Sequence, residues 1–208
     1  MGERLAGGNL AIALLASTLA TGAALAALIL TFGPISGAHF NPAVTIADAS
    51  QGGVTWQVVP GYVTAQLLGA VLGVFAAHAM FGEPILMLST HQRSGMSQVF
   101  SEFVATFGLV SVIWGCSRQR ASSVPLAVAA YIVAAYWFTA STSFANPAVT
   151  IARAFTNTFA GIRLADVPGF LAGEFAGAAA ATLLFRWLVP RLPDVADEAV
   201  VPRENLRV

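Results

Sequence analysis

Cysteine is almost missing from this chain: a single residue, Cys116, rules out any intrachain disulfide and, at the end of an apolar run, reads as a packing residue. Charge is scarce too. Charged residues make up 10% of the 208, against roughly 25% in soluble domains. Lysine does not occur, and ten acidic side chains balance ten arginines, so nothing in the net charge points to nucleic acid or an acidic partner. Convergent acid, base and nucleophile groups are absent as well: the apolar runs hold only scattered Ser, Thr and single carboxylates, which argues against an enzyme. His78 and His91 lack metal-ligand spacing, and neither a metal nor a cofactor is expected. The N-terminus, MGERLAGG, lacks the basic region of a signal peptide, so the run that follows it reads as a membrane span.

What is abundant is apolar surface. The chain is 57% hydrophobic, with a mean hydropathy of +0.74. Uncharged apolar stretches run over about 8–32, 56–81, 103–116, 124–140 and 175–185, and with their flanks each is long enough to cross a bilayer as a helix of ~20 residues. The chain is therefore an all-α, multi-pass membrane protein with the lipid bilayer as its solvent. Arg118 and Arg120 follow the third span, and Arg186, Arg191, Arg203 and Arg207 follow the last, which places that loop and the C-terminus in the cytoplasm. Arg93 alone marks the preceding loop, which is expected outside.

A heptapeptide, NPAVTIA, occurs at 41–47 and again, letter for letter, at 146–152. The repetition extends further: Val59-Pro60-Gly61-Tyr62 returns as Val167-Pro168-Gly169-Phe170, and AQLLGA at 65–70 aligns with GEFAGA at 173–178. Each half runs from a long helix through a Gly/Ser-containing connection, NPAVTIA and a polar loop to a helix opening with VPG. The second half also begins with a helix over 101–115 that has no counterpart in the first. Five full spans are thus expected where two inverted three-helix units would give six. The organisation expected is a channel domain over 1–189, with a first repeat at 8–81 lacking its first helix and a second at 97–189, followed by a loose cytoplasmic tail over 190–208. On that reading Met1 starts outside the membrane and is an internal methionine of a longer reading frame, truncation by mutation being the alternative.

The repeated tripeptide has a physical purpose. Asn caps free backbone N–H groups and Pro fits the first helical turn, so Asn41-Pro42-Ala43 and Asn146-Pro147-Ala148 each open a helix. The segments before them, ISGAHF and STSF, are too polar for ordinary spans. Two half-helices that enter the membrane and stop within it are expected, and such backbone survives at membrane depth only beside protein or water. Facing one point near the midplane, their positive ends oppose cations, while the Asn41 and Asn146 amides and backbone carbonyls of 35–39 and 141–144 offer hydrogen bonds to water or a small polyol.

SGAHFNPAVT, the second NPA and the inverted three-helix plan resemble the aquaporin, or major intrinsic protein, family over about residues 8–189. The first NPAVT with NPAVTIAR and STSFANPA is most similar to the aquaporin-like proteins of bacterial arsenic-resistance systems. The resemblance implies two re-entrant NPA half-helices, a pore in each protomer, a homotetramer and a bacterial inner membrane. It also implies four filter positions: Thr21; a residue near Ala134, with Ala135 and Tyr136 left open; Ser143; and Val149, where water channels carry Arg. His39 and Glu102 are implied as structural supports of the pore loops. A filter of Thr21, Ala134 and Val149 would be wide and weakly polar, passing small neutral solutes: arsenous or antimonous acid, with glycerol and water. A general water and glycerol facilitator, a small ion leak, or a non-conducting remnant are the rival expectations.

Three other residues are informative. Asp48 and Arg153 occupy one place in the two repeats. Arg153, a turn or ~5.4 Å beyond Val149, is expected as a helix-end or interface charge pointing toward cytoplasmic-side packing or the subunit surface, away from the filter. Glu174, an ionisable group inside a span, is a functional candidate by default.

Overall fold

A computed structural model describes residues 1–117 and 120–189; Arg118 and the expected tail at 190–208 lie outside the described residues. Among the described residues, five helices are long and apolar enough to cross a membrane. In chain order the helices are α1 (Gly2–Leu5), α2 (Leu10–Ser36), α3 (Pro42–Ser50), α4 (Val59–Phe81), α5 (Met96–Ser117), α6 (Val124–Phe138), α7 (Pro147–Ala152) and α8 (Val167–Leu188). α3 and α7 are the two short half-helices, and no strand occurs among the described residues.

Local chemistry explains the boundaries. The Asn9 side chain accepts from the N–H groups of Ala11 and Ile12 to start α2, and Gly37, at φ 79°, ends it in the left-handed conformation that glycine adopts freely. Pro60, Pro125 and Pro168 sit in the first turns of α4, α6 and α8, where a missing N–H costs nothing.

The most extensive packing joins α5 to α8 and α2 to α6. Gly173 and Gly177 lie one turn apart on α8, and a Cβ on either would meet the backbone of α5 at Val99 and Phe103. The small-xxx-small pair lets two spans approach backbone to backbone where lipid gives helices no hydrophobic drive to associate. Trp114 Nε1 donates to Thr182 Oγ1 at 3.2 Å and ties the same two helices at another level. The matching row on α4 stands open: a Cβ on Gly61, Gly69 or Gly73 would meet nothing within 4 Å. Leu68, Leu72 and Met80 of α4 and Leu15 and Leu19 of α2 are exposed. That is ordinary for a lipid-facing surface.

Candidate functional site: the paired half-helices and their cavity

The backbone before each NPA follows one pattern. Gly37, Ala38 and Phe40 have φ of 79°, 46° and 50°, and Thr142, Ser143 and Ala145 have 61°, 47° and 48°. Five of the six are not glycine, and such residues cost about 1–3 kcal/mol each unless the surroundings hold them. The contacts around the site supply that hold.

The two asparagines form a reciprocal clasp. Asn41 Oδ1 accepts from Ala43 N at 2.9 Å and Asn146 Oδ1 from Ala148 N at 3.0 Å, capping α3 and α7. Asn41 Nδ2 then donates to Ala145 O at 2.6 Å, and Asn146 Nδ2 to Phe40 O at 2.8 Å. Each amide therefore caps its own half-helix and fixes the other half's strained carbonyl. An amide has two N–H groups, so the second of each remains beside the cavity that both residues line.

Buried carboxylates support the second half. Glu102 accepts from Phe144 N and Ala145 N, at 2.9 and 2.7 Å, one bond to each oxygen. Glu174 Oε1 accepts from Asn146 N at 3.1 Å and Thr150 Oγ1 at 2.6 Å. In the first half Gln66, which aligns with Glu174, donates to Thr45 at 2.9 Å. His39 Nδ1 lies 3.1 Å from Thr45 Oγ1, its Nε2 lies 3.7 Å from the Asp48 carboxylate, and its ring packs on Tyr62.

Beside the clasp runs a cavity. Leu25 and Ile29 of α2, Leu109 and Ile113 of α5, and Val128 and Ile132 of α6 give it an apolar wall, opposite the loops that lead to each NPA. Thr21, Ser143 and Val149, three of the four expected filter residues, line it. Ala134 does not: it is exposed on α6, and Tyr136 occupies the lumen instead. Helical phase explains the correction. Val128, Ile132 and Tyr136 recur every fourth residue on one face, and Ala134 stands about 200° around from Tyr136. The expectation for Arg153 is also corrected, because it lines the cavity. Arg153, four residues after Val149, keeps the same face one turn further from the clasp, where α7 passes into a 3₁₀ turn at Arg153–Phe155.

Sequence reading missed what holds this end of the cavity. The Arg153 guanidinium donates to Tyr136 Oη at 2.9 Å and sits 4.2 Å from the centroid of the Phe144 ring; Tyr136 Oη lies 3.3 Å from Thr21 Oγ1. Arg93, from the α4–α5 loop, packs on Phe144 at 5.0 Å. Its guanidinium donates to Ser141 O, Phe159 O and Gly161 O at 2.9, 3.1 and 2.8 Å, locking the approach loop to the segment after α7. Burial, and then the neighbouring Arg153, pull the Arg93 guanidinium down to about 10, which leaves it charged at neutral pH. No local signal marks Arg93. For Arg153 the repeat offered one, since it aligns with the buried Asp48. Among the described residues no group of His, Cys, Asp and Glu could hold a metal ion.

With the geometry established, comparison with known proteins assigns the family. The family model "Major intrinsic protein" matches residues 3–143. The chain belongs to the major intrinsic protein family. It is 53% identical over 179 residues to "Aquaglyceroporin AqpS" of Rhizobium meliloti (strain 1021), a match covering 86% of this chain and 77% of that protein. It is 33% identical over 193 residues to "Aquaporin NIP1-2" of Oryza sativa subsp. japonica, covering 86% of this chain and 63% of the relative. Members of the family are solute channels, not enzymes, and the multi-pass helical architecture of this chain is of the aquaporin type.

Proposed function

We propose that the channel passes small, neutral, hydroxyl-bearing solutes: arsenous and antimonous acid in their undissociated As(OH)3 and Sb(OH)3 forms, with glycerol and water as further permeants. The observation that carries this reading is Val149, an apolar residue at the cavity wall beside Asn146. It leaves that level of the pore free of a charged side chain. A polar strip from Asn41, Asn146 and the approach loops then faces an aliphatic wall, which suits a solute that exchanges hydrogen bonds on one side and slides on the other. The similarity to a protein named an aquaglyceroporin supports a solute larger than water.

Thr21, Tyr136, Ser143 and Val149 are the side chains we assign to the filter, with His39 and Glu102 supporting the loops. The protein sits in a bacterial inner membrane with the end of α8 in the cytoplasm, by the arginines at and after that end. The α4–α5 loop then faces outside. A homotetramer would bury part of the exposed apolar surface of α2 and α4.

Flux into proteoliposomes tests the reading. The chain should admit As(OH)3 and glycerol, and Val149→Arg should cut their entry by about tenfold or more, a barrier rise of about 1.4 kcal/mol or above, while reducing water entry less. Free passage of water and glycerol with no arsenous acid would leave a general facilitator. No flux of any solute would favour a non-conducting protein.

A further inference from the structure

We propose that Arg153 carries the selectivity cation of this pore, displaced one helical turn from the position after NPA where Val149 stands. On the channel reading above, on which this rests, Arg153 repels monovalent cations and offers N–H donors to the hydroxyl oxygens of a neutral permeant.

Position is the first support. Among the described residues Arg153 lines two cavities, the channel beside the clasp and a second pocket bounded by His78, Met87 and Thr156–Thr158, and it is the residue their linings share. Whatever moves from that pocket into the channel passes its side chain. Immobilisation is the second. A free arginine would swing aside, but this guanidinium is held by Tyr136 Oη and stacked on Phe144, both of which are buried. Charge is the third. No ion pair of Arg153 occurs among the described residues; of the two carboxylates that line the second pocket with it, Glu83 pairs with Arg4 and Glu3 accepts from Phe159 N. Arg93 stands on the same ring and adds to the field of Arg153, while three of its own donors bond backbone carbonyls. The Arg153 fork has five N–H donors and one bond to Tyr136, which leaves donors for a solute. A solute therefore meets the charged threshold first and the uncharged Val149 level second, one turn further in.

The experiment measures Na+ entry driven by a membrane potential alongside neutral-solute entry, in proteoliposomes holding the full chain, Arg153→Leu, Arg153→Gln, Arg153→Lys or Tyr136→Phe. Arg153→Leu and Arg153→Gln should each raise Na+ entry about tenfold, equal to about 1.4 kcal/mol off the barrier, and Arg153→Lys should keep Na+ out. Tyr136→Phe keeps the charge but frees the guanidinium, so it should alter the ratio of glycerol to water entry without opening a Na+ path. Gln is uncharged but keeps N–H donors on a polar side chain, so it carries the test if Leu fails to fold. Na+ entry unchanged from wild type in both Leu and Gln variants overturns the proposal. If the wild type passes no neutral solute while those variants admit Na+, Arg153 stands and the solute assignment falls; if neither passes anything, both fall.

Discussion

The two halves of this channel share a backbone and differ in chemistry at matched positions. His39 packs on Tyr62 with ring centroids 5.2 Å apart, and the corresponding Phe144 packs on Phe170 at 5.1 Å. The carbonyl of Ser36 accepts from Tyr62 Oη at 2.8 Å; Phe170 has no hydroxyl, and the corresponding carbonyl of Ser141 accepts from Arg93 instead. Asp48 lies beside the His39 imidazole, whereas Arg153 lies over the Phe144 ring. The lesson is that the repeat keeps the position of each support while leaving its chemical identity free. One end of the cavity can therefore carry an acid–imidazole pair and the other a guanidinium without disturbing the clasp between them.

Substitutions at three kinds of position test how far that equivalence goes. The largest effect is expected where the second half uses a device foreign to the first. Arg93→Met leaves three carbonyls without their charged donor, each such bond being worth about 1.5–3 kcal/mol, and should destabilise the protein in detergent by more than about 3 kcal/mol, read as a fall in unfolding midpoint. Next come the glycine rows. Gly177→Ala drives a methyl into the α5 backbone and should cost about 1–3 kcal/mol or more, while Gly69→Ala, with open space around it, should be neutral or stabilising by up to about 1 kcal/mol; equal costs would mean the two rows are packed alike in the membrane. The smallest contrast concerns the carboxylates. Glu174→Gln should shift stability by under about 0.5 kcal/mol, because a single amide oxygen can accept both of its bonds. Glu102→Gln puts an N–H₂ against a backbone N–H and should cost about 1–3 kcal/mol, and similar effects from both would break the distinction.

The elements that could be read from the sequence were those whose causes are local. Caps at Asn41 and Asn146, proline in first turns and spans of sufficient length depend on neighbours in the chain, and the heptapeptide doubled the signal. Tyr136 was harder to place: counting back from Asn146 crosses the non-helical segment 139–145, where residue number stops tracking helical phase. Arg153 was misdirected although its spacing was legible: four residues on from Val149 keeps the same helix face, and what the sequence does not show is that Tyr136 and Phe144 hold its side chain there. Arg93 reaches partners 48 and 68 residues away, and no periodicity predicts such contacts.

The asparagine clasp also bears on how the molecule assembles. Its bonds join residues 104 and 106 apart in the chain, and closure of loops that long is slow relative to helix formation. Neither strained loop is fully held until the other arrives, so the left-handed turns before each NPA are late structures on the folding route. A nascent chain carrying only the first NPA has its cap but no opposite carbonyl to grip. The pore is thereby a product of completed synthesis, and a conducting path cannot open from a half-made polypeptide.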